Sequence, residues 1–121
     1  MTGRIQLNIG NGGQQIRPWK GKDMIRHIVM FRFRENNAEN AALAREKALR
    51  LPDTISQIRH FEAVVNAPSA DKTNYDYALI ADFETQEDLD AYQVHPDHKA
   101  FGAFIGTVRA EGGRACIDYE F

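Results

Sequence analysis

From Arg26 onward the chain alternates with a period of two: His27, Val29, Phe31 and Phe33 fall on one face, and Ile28, Met30 and Arg32 on the other. Successive side chains of a strand point to opposite faces, so the pattern predicts a first core strand over Arg26–Arg34. Asn36 and Asn37 can cap a following helix, in which Ala41, Ala44, Ala48 and Leu51 recur at helical spacing among charged residues until Pro52 stops the run. Two more strands are predicted, over Ile58–Asn66 with Phe61, Val64 and Val65, and over Tyr75–Phe83, where Tyr77, Leu79, Ala81 and Phe83 alternate with Ala78, Ile80 and Asp82. The polar stretch Ala67–Asn74 is the loop between them.

Thr85 followed by Asp88 resembles a capping box, with Asp in the usual Glu position, and opens a short helix through Leu89 and Tyr92. Pro96 restarts the helix, because proline is tolerated in a first turn where no amide donor is needed. Phe101, Phe104, Ile105 and Val108 then form one apolar stripe at i, i+3, i+4 and i+7. Gly112-Gly113 is expected to end the helical region, and Ala115, Ile117, Tyr119 and Phe121 alternate as a final strand.

The order strand, helix, strand, strand, helix, strand predicts an α+β, ferredoxin-like fold: a four-stranded antiparallel sheet with helices on one face. The other face, with Ile28, Met30, Val64 and Ile80, is left partly apolar and uncovered, and self-association is expected there. A register slip of one residue would exchange the two faces, so their assignment stays open.

A chain of 121 residues has room for one domain. Met1–Asp23 differs in composition, with five glycines and the pair Pro18-Trp19, and reads as an appendage to a domain spanning residues 24–121. Within it Ile5, Leu7 and Ile9 can make an extra strand ending in the turn Asn8–Gly13. Met24 is an alternative start, so the segment is either an arm or a leader.

Fifteen basic against seventeen acidic residues, a net charge of -2, supply no footprint for nucleic acid and no polybasic membrane patch. Cys116 is the single cysteine, which excludes an intrachain disulfide and favours a reducing compartment. No apolar run approaches the ~20 residues of a membrane span, and a cytoplasmic protein is expected.

Candidate chemistry concentrates in Tyr92-Gln93-Val94-His95-Pro96-Asp97-His98, where two imidazoles and a phenol meet at a helix junction. Histidine titrates near neutrality, and a phenol can orient its proton, so this junction suits acid/base work; it suits equally a packed corner whose polar tips find hydrogen bonds. His95, held extended by Pro96, reads as the junction itself. His95 and His98 are three apart, a spacing that can ligate metal, but Pro96 breaks the helix between them and Asp97 is the only further ligand nearby, so neither metal nor cofactor is expected. The glycines at Gly10–Gly13 lack the ending of a phosphate-binding loop. His60, between Arg59 and Phe61, reads as a surface or interface residue.

The opening His27-Ile28-Val29-Met30-Phe31-Arg32-Phe33, Asp82-Phe83, the His-Pro-x-His element and the closing Cys116-Ile117-Asp118-Tyr119 together resemble the stress-responsive A/B-barrel, or Dabb, family of the dimeric α+β barrel superfamily. The resemblance covers Met24–Phe121. It implies a homodimer whose two sheets close into one barrel, with a pocket between sheet and helices in each subunit. Function in that family is mostly undefined: some members look like ligand-binding or highly stable stress proteins, and one plant branch is a cofactor-free cyclase closing a linear polyketide.

In that branch an acid/base pair matches Tyr92 and His98, with a strand histidine at His27 nearby. Tyr77 stands where the cyclases have another histidine, and Ala42–Ala48 where they have aromatic pocket residues, so the substrate does not transfer.

The expectation is therefore a dimeric α+β barrel with a small apolar pocket lined by His27, Tyr92, His98, His95, Tyr77, Phe31, Leu79 and Phe101. As an enzyme it would be a cofactor-free lyase, cyclase or isomerase acting on a small apolar, phenolic or polyketide-like carbon acid, with His98 as base, Tyr92 as hydrogen-bond partner and His27 orienting. The rival is a non-catalytic stress-response or ligand-binding dimer. A cofactor-independent oxygenase fits the His-Pro-x-His element less well.

Overall fold

Strand β1 (Ile25–Phe33) buries every second side chain, Ile25, His27, Val29, Phe31 and Phe33, and leaves the intervening ones half-buried. The computed structural model describes residues 24–121; the strand expected at Ile5–Ile9 and the arm at Met1–Asp23 lie outside the described residues. Helix α1 (Ala38–Leu49) starts where Asn37 accepts a hydrogen bond from the Asn40 amide at 2.8 Å, the cap that the asparagine pair suggested. Ala44 and Ala48 are fully buried on it, and these small side chains let its backbone come close enough for the Tyr77 hydroxyl to donate to Ala44 O at 3.0 Å.

Pro52 does not terminate that helix. The helix ends at Leu49, and Pro52 lies in the first turn of a short helix, α2 (Leu51–Thr54), where the missing amide proton costs nothing. Strands β2 (His60–Val65) and β3 (Tyr77–Phe83) are each slightly shorter than the periodicity predicts.

Helix α3 (Gln86–Val94) is capped by Thr85, which accepts from the Asp88 amide at 3.0 Å. Helix α4 (Pro96–Val108) follows after the single residue His95, which both ends α3 and begins α4. Its buried residues Phe101 and Ile105 are four apart and press on the sheet.

Gly112-Gly113 does not end the helical region either. Helix α4 stops at Val108, and β4 (Arg109–Glu120) begins at once and runs through both glycines. Arg109 is already extended, so no glycine is needed to leave the helix. The pair instead serves an irregularity in the ladder, where Phe31 faces Arg114 but Phe33 faces Arg109. Gly112 has φ +72°, and a Cβ on Gly113 would stand 2.9 Å from the Arg32 Cβ.

The antiparallel sheet has the order β2-β3-β1-β4. Helices cover the face bearing Val29, Phe31, Leu79, Ala81 and Phe83, and the core lies between. The register sets Ile28 opposite both Ile80 and Ile117, and Met30 opposite Ala78, on the helix-free face. That settles the parity left open by the sequence: Val64 and Ile117 are exposed there, at 40% and 58%. On the same face Arg26 makes a two-pronged contact to the buried Asp82, at 2.8 and 2.9 Å.

Candidate functional site

The α3–α4 corner is built by hydrogen bonds that each half of it needs. A helix ends with carbonyls that have no intrahelical partner. The His95 amide donates to Tyr92 O at 3.2 Å, and the His98 ring reaches back to Gln93 O, its Nδ1 3.2 Å away. His95 uses its own ring to accept from the Asp97 amide at 3.1 Å, capping α4. It is therefore the helix junction, with its Nδ1 committed to the backbone.

The contact to Gln93 determines the His98 tautomer. A carbonyl can only accept, so Nδ1 carries the hydrogen and Nε2 carries the lone pair. Burial holds the His98 pKa below the ordinary imidazole value, the bond to Gln93 pulls it the other way, and nearby His27, Arg114 and His95 add to the lowering. The result at neutral pH is a neutral ring with a free basic nitrogen.

Tyr92 packs beneath it. The rings of Tyr92 and His98 are 4.3 Å apart at their centroids, and Phe83 closes the other side at 5.0 Å. Tyr92 is fully buried, yet its hydroxyl has no hydrogen-bond partner among the described residues. Leaving a buried hydroxyl unpaired costs roughly 1–3 kcal/mol, so such groups are rare and call for a reason. Burial, and next the neighbouring Cys116, push the phenol pKa upward, so it stays protonated and can donate.

His27 approaches from the sheet, its ring 6.1 Å from that of Tyr92. It is itself buried, and its Nδ1 lies 2.6 Å from Asp118 Oδ1 on the neighbouring strand. Cys116, two residues before Asp118 and so on the same face, has its sulfur 3.6 Å from the same nitrogen and 3.8 Å from Asp118 Oδ1. Because β4 is an edge strand, Arg114, Cys116 and Asp118 are exposed although they belong to the helix-covered face. This margin opens the site to solvent.

The structure thus brings His27, Tyr92 and His98 together. Tyr77, Phe31, Leu79 and Phe101 all lie in the hydrophobic core. Tyr77 stacks on Phe31, and its hydroxyl is spent on Ala44 O. A groove of about 340 Å³ bordered by Asn37, Ala41, Asn66 and Lys72 lies at the start of α1 and contains none of the three grouped residues.

Two site residues escaped the sequence reading, Cys116 and Asp118. Their signal was the unused parity of the last strand: with Ile117 and Tyr119 on one face, Cys116 and Asp118 must share the other, and antiparallel pairing of β1 with β4 puts Asp118 opposite His27.

Comparison with known proteins agrees with this architecture. The family model described as Stress responsive A/B Barrel Domain matches residues 25–121. A dimeric ferredoxin-like protein of unknown function from Bacteroides fragilis is 31% identical, with a TM-score of 0.70 over 84% of this chain and 99% of that one. Another from Thermobifida fusca is 27% identical, with a TM-score of 0.71 over 89% and 99%. The hydroxynitrile lyase of Passiflora edulis shares the fold at 14% identity, with a TM-score of 0.69 over 82% and 94%. No curated protein matches the sequence. Among the described residues no helix is long and apolar enough to cross a membrane.

Proposed function

The chain belongs to the stress responsive A/B barrel domain family, and within it we propose a cofactor-free acid–base catalyst acting on a small carbon acid. His98 Nε2 is the base that removes a proton from carbon, or from a hydroxyl, beside a carbonyl or nitrile. Tyr92 donates its idle hydrogen bond to the oxygen or nitrogen on which negative charge develops. His27, held by Asp118, orients the polar end of the substrate. Lyase, cyclase and isomerase reactions all begin with this step, and an apolar or phenolic body suits the aromatic surroundings of Tyr92 and Phe83.

The observation that carries this reading is the Tyr92 hydroxyl: buried, protonated and without a partner among the described residues, beside a neutral imidazole. A hydroxyl kept in that state is ready for a ligand to satisfy it. The hydroxynitrile lyase from Passiflora edulis is an instance of lyase chemistry on the same fold, which by itself assigns none to this chain.

The working unit is a homodimer joined through the helix-free face. Ile28, Met30 and Ile80 are half-buried there, Val64 and Ile117 are exposed, and the Bacteroides fragilis and Thermobifida fusca proteins are described as dimeric.

The test is to follow the His98 ring by NMR against small phenols, ketones and cyanohydrins, and to assay binders for turnover in wild type and His98→Ala. A folded His98→Ala variant should lose at least about a hundredfold in rate. Full activity in that variant would remove His98 from the mechanism, and ligand binding without any turnover would make the protein a binding dimer.

A further inference from the structure

His27, Cys116 and Asp118 offer one nitrogen, one sulfur and one oxygen within 4.8 Å of one another. The acid–base reading uses only the pairing of His27 with Asp118 and leaves the thiol without a task. A Cys-His-Asp nucleophile relay does not account for the thiol. In such a relay the thiol and the carboxylate engage opposite ring nitrogens, whereas here both face Nδ1.

The distances resemble those of a coordination sphere. For metal bonds of about 2.3 Å to sulfur and 2.0–2.1 Å to nitrogen or oxygen, tetrahedral geometry puts sulfur roughly 3.6 Å from each other ligand and nitrogen roughly 3.3 Å from oxygen. Sulfur stands 3.6 Å from His27 Nδ1 and 3.8 Å from Asp118 Oδ1. The nitrogen and oxygen are 2.6 Å apart, held by the hydrogen bond that an ion would replace. They need only spread a little.

We propose that His27 Nδ1, Cys116 Sγ and Asp118 Oδ1 form a site for a borderline-soft divalent transition metal such as Zn²⁺ or Co²⁺. Thiolate and imidazole together select against Mg²⁺ and Ca²⁺, which take oxygen ligands. Two strands of one ladder supply the ligands, so the backbone holds the three donors in place before the ion arrives. Three protein ligands leave a coordination position open.

The charges and protons balance. The ion displaces the thiol proton to solvent, and the imidazole proton moves from Nδ1 to Nε2. A thiolate, a carboxylate and a neutral imidazole then neutralise the divalent charge. Because binding releases the thiol proton, the affinity for the ion strengthens as pH rises.

This site does not depend on the acid–base reading, and its test needs no substrate. The reduced full-length chain is freed of metal and titrated with Co²⁺. Wild type should develop the intense visible bands of tetrahedral cobalt together with a near-ultraviolet thiolate-to-cobalt charge-transfer band, and Zn²⁺ should bleach both. Cys116→Ser should lose the charge-transfer band, and Asp118→Asn should weaken binding by about tenfold or more. Both positions are exposed, so these variants test ligation in a folded chain. A wild-type spectrum without the thiolate band, or a band that persists in Cys116→Ser, overturns the proposal.

Discussion

His27 and Asp118 meet across the β1–β4 ladder with Nδ1 and Oδ1 2.6 Å apart, and this contact sets which ring nitrogen of His27 faces the aromatic site. In the absence of metal, the carboxylate accepts a hydrogen bond from Nδ1 and so keeps a hydrogen on that nitrogen. Asp118→Asn should therefore mix the two tautomers, read directly from the ring ¹⁵N shifts of His27. The Asp118 side chain is 38% exposed, so the accompanying loss of stability should stay within about 1 kcal/mol.

Tyr92→Phe should leave stability unchanged or raise it by about 1 kcal/mol, because it removes a buried hydroxyl that has no partner among the described residues. The same change should weaken any ligand that accepts from that hydroxyl. Denaturant unfolding of the variant is the check. A loss of well over about 1 kcal/mol would show that the phenol is already satisfied in the free protein.

Acid should destabilise the protein partly through His98. Its pKa in the folded chain lies below the unfolded value of about 6.5, so between the two values the unfolded chain binds more protons. Stability is unaffected by this group above the unfolded value and falls as pH drops through that window. In thermal unfolding, His98→Gln should flatten this acid-side decline. A decline of unchanged steepness would mean that other groups carry it.

Ile80→Asp should separate the proposed homodimer. The residue sits at the middle of the helix-free face, opposite Ile28, and a carboxylate there would be desolvated without a partner on association. Light scattering should show a folded monomer. A dimer of undiminished affinity would place the interface elsewhere.

Alanine at the glycine pair should damage β4 by two different routes. Gly112→Ala meets no steric obstacle but must adopt φ +72°, at a cost of roughly 1–2 kcal/mol. Gly113→Ala drives a Cβ to 2.9 Å from the Arg32 Cβ and 3.0 Å from Ala110 O, so it should cost about 1–3 kcal/mol through displaced backbone. Thermal melts of the two variants separate the effects, and unaltered melting of Gly113→Ala would mean that the ladder yields freely.

Much of this was legible in one dimension because local chemistry decided it. The alternation of His27, Val29, Phe31 and Phe33 determined a strand and which of its residues share a face, Thr85 and Asp88 determined where α3 begins, and Pro96 determined that the helix restarts one residue after His95. The grouping of Tyr92 with His98 followed from their separation across that corner. Each of these features depends on residues within a turn or two of one another.

What only the tertiary structure decided lies in the register between strands distant in sequence. Asp118 and Cys116 are some ninety residues from His27, and nothing local says which residues of β4 face it; a slip of one position would turn both to the other face. The glycine pair looked like a helix stop because glycine permits many conformations, and only the folded ladder shows that Gly112 takes φ +72° while Gly113 lies against Arg32. Burial of the Tyr92 hydroxyl without a partner among the described residues is likewise a property of the packed fold, since a hydrogen bond is present or missing only once the neighbours are in place.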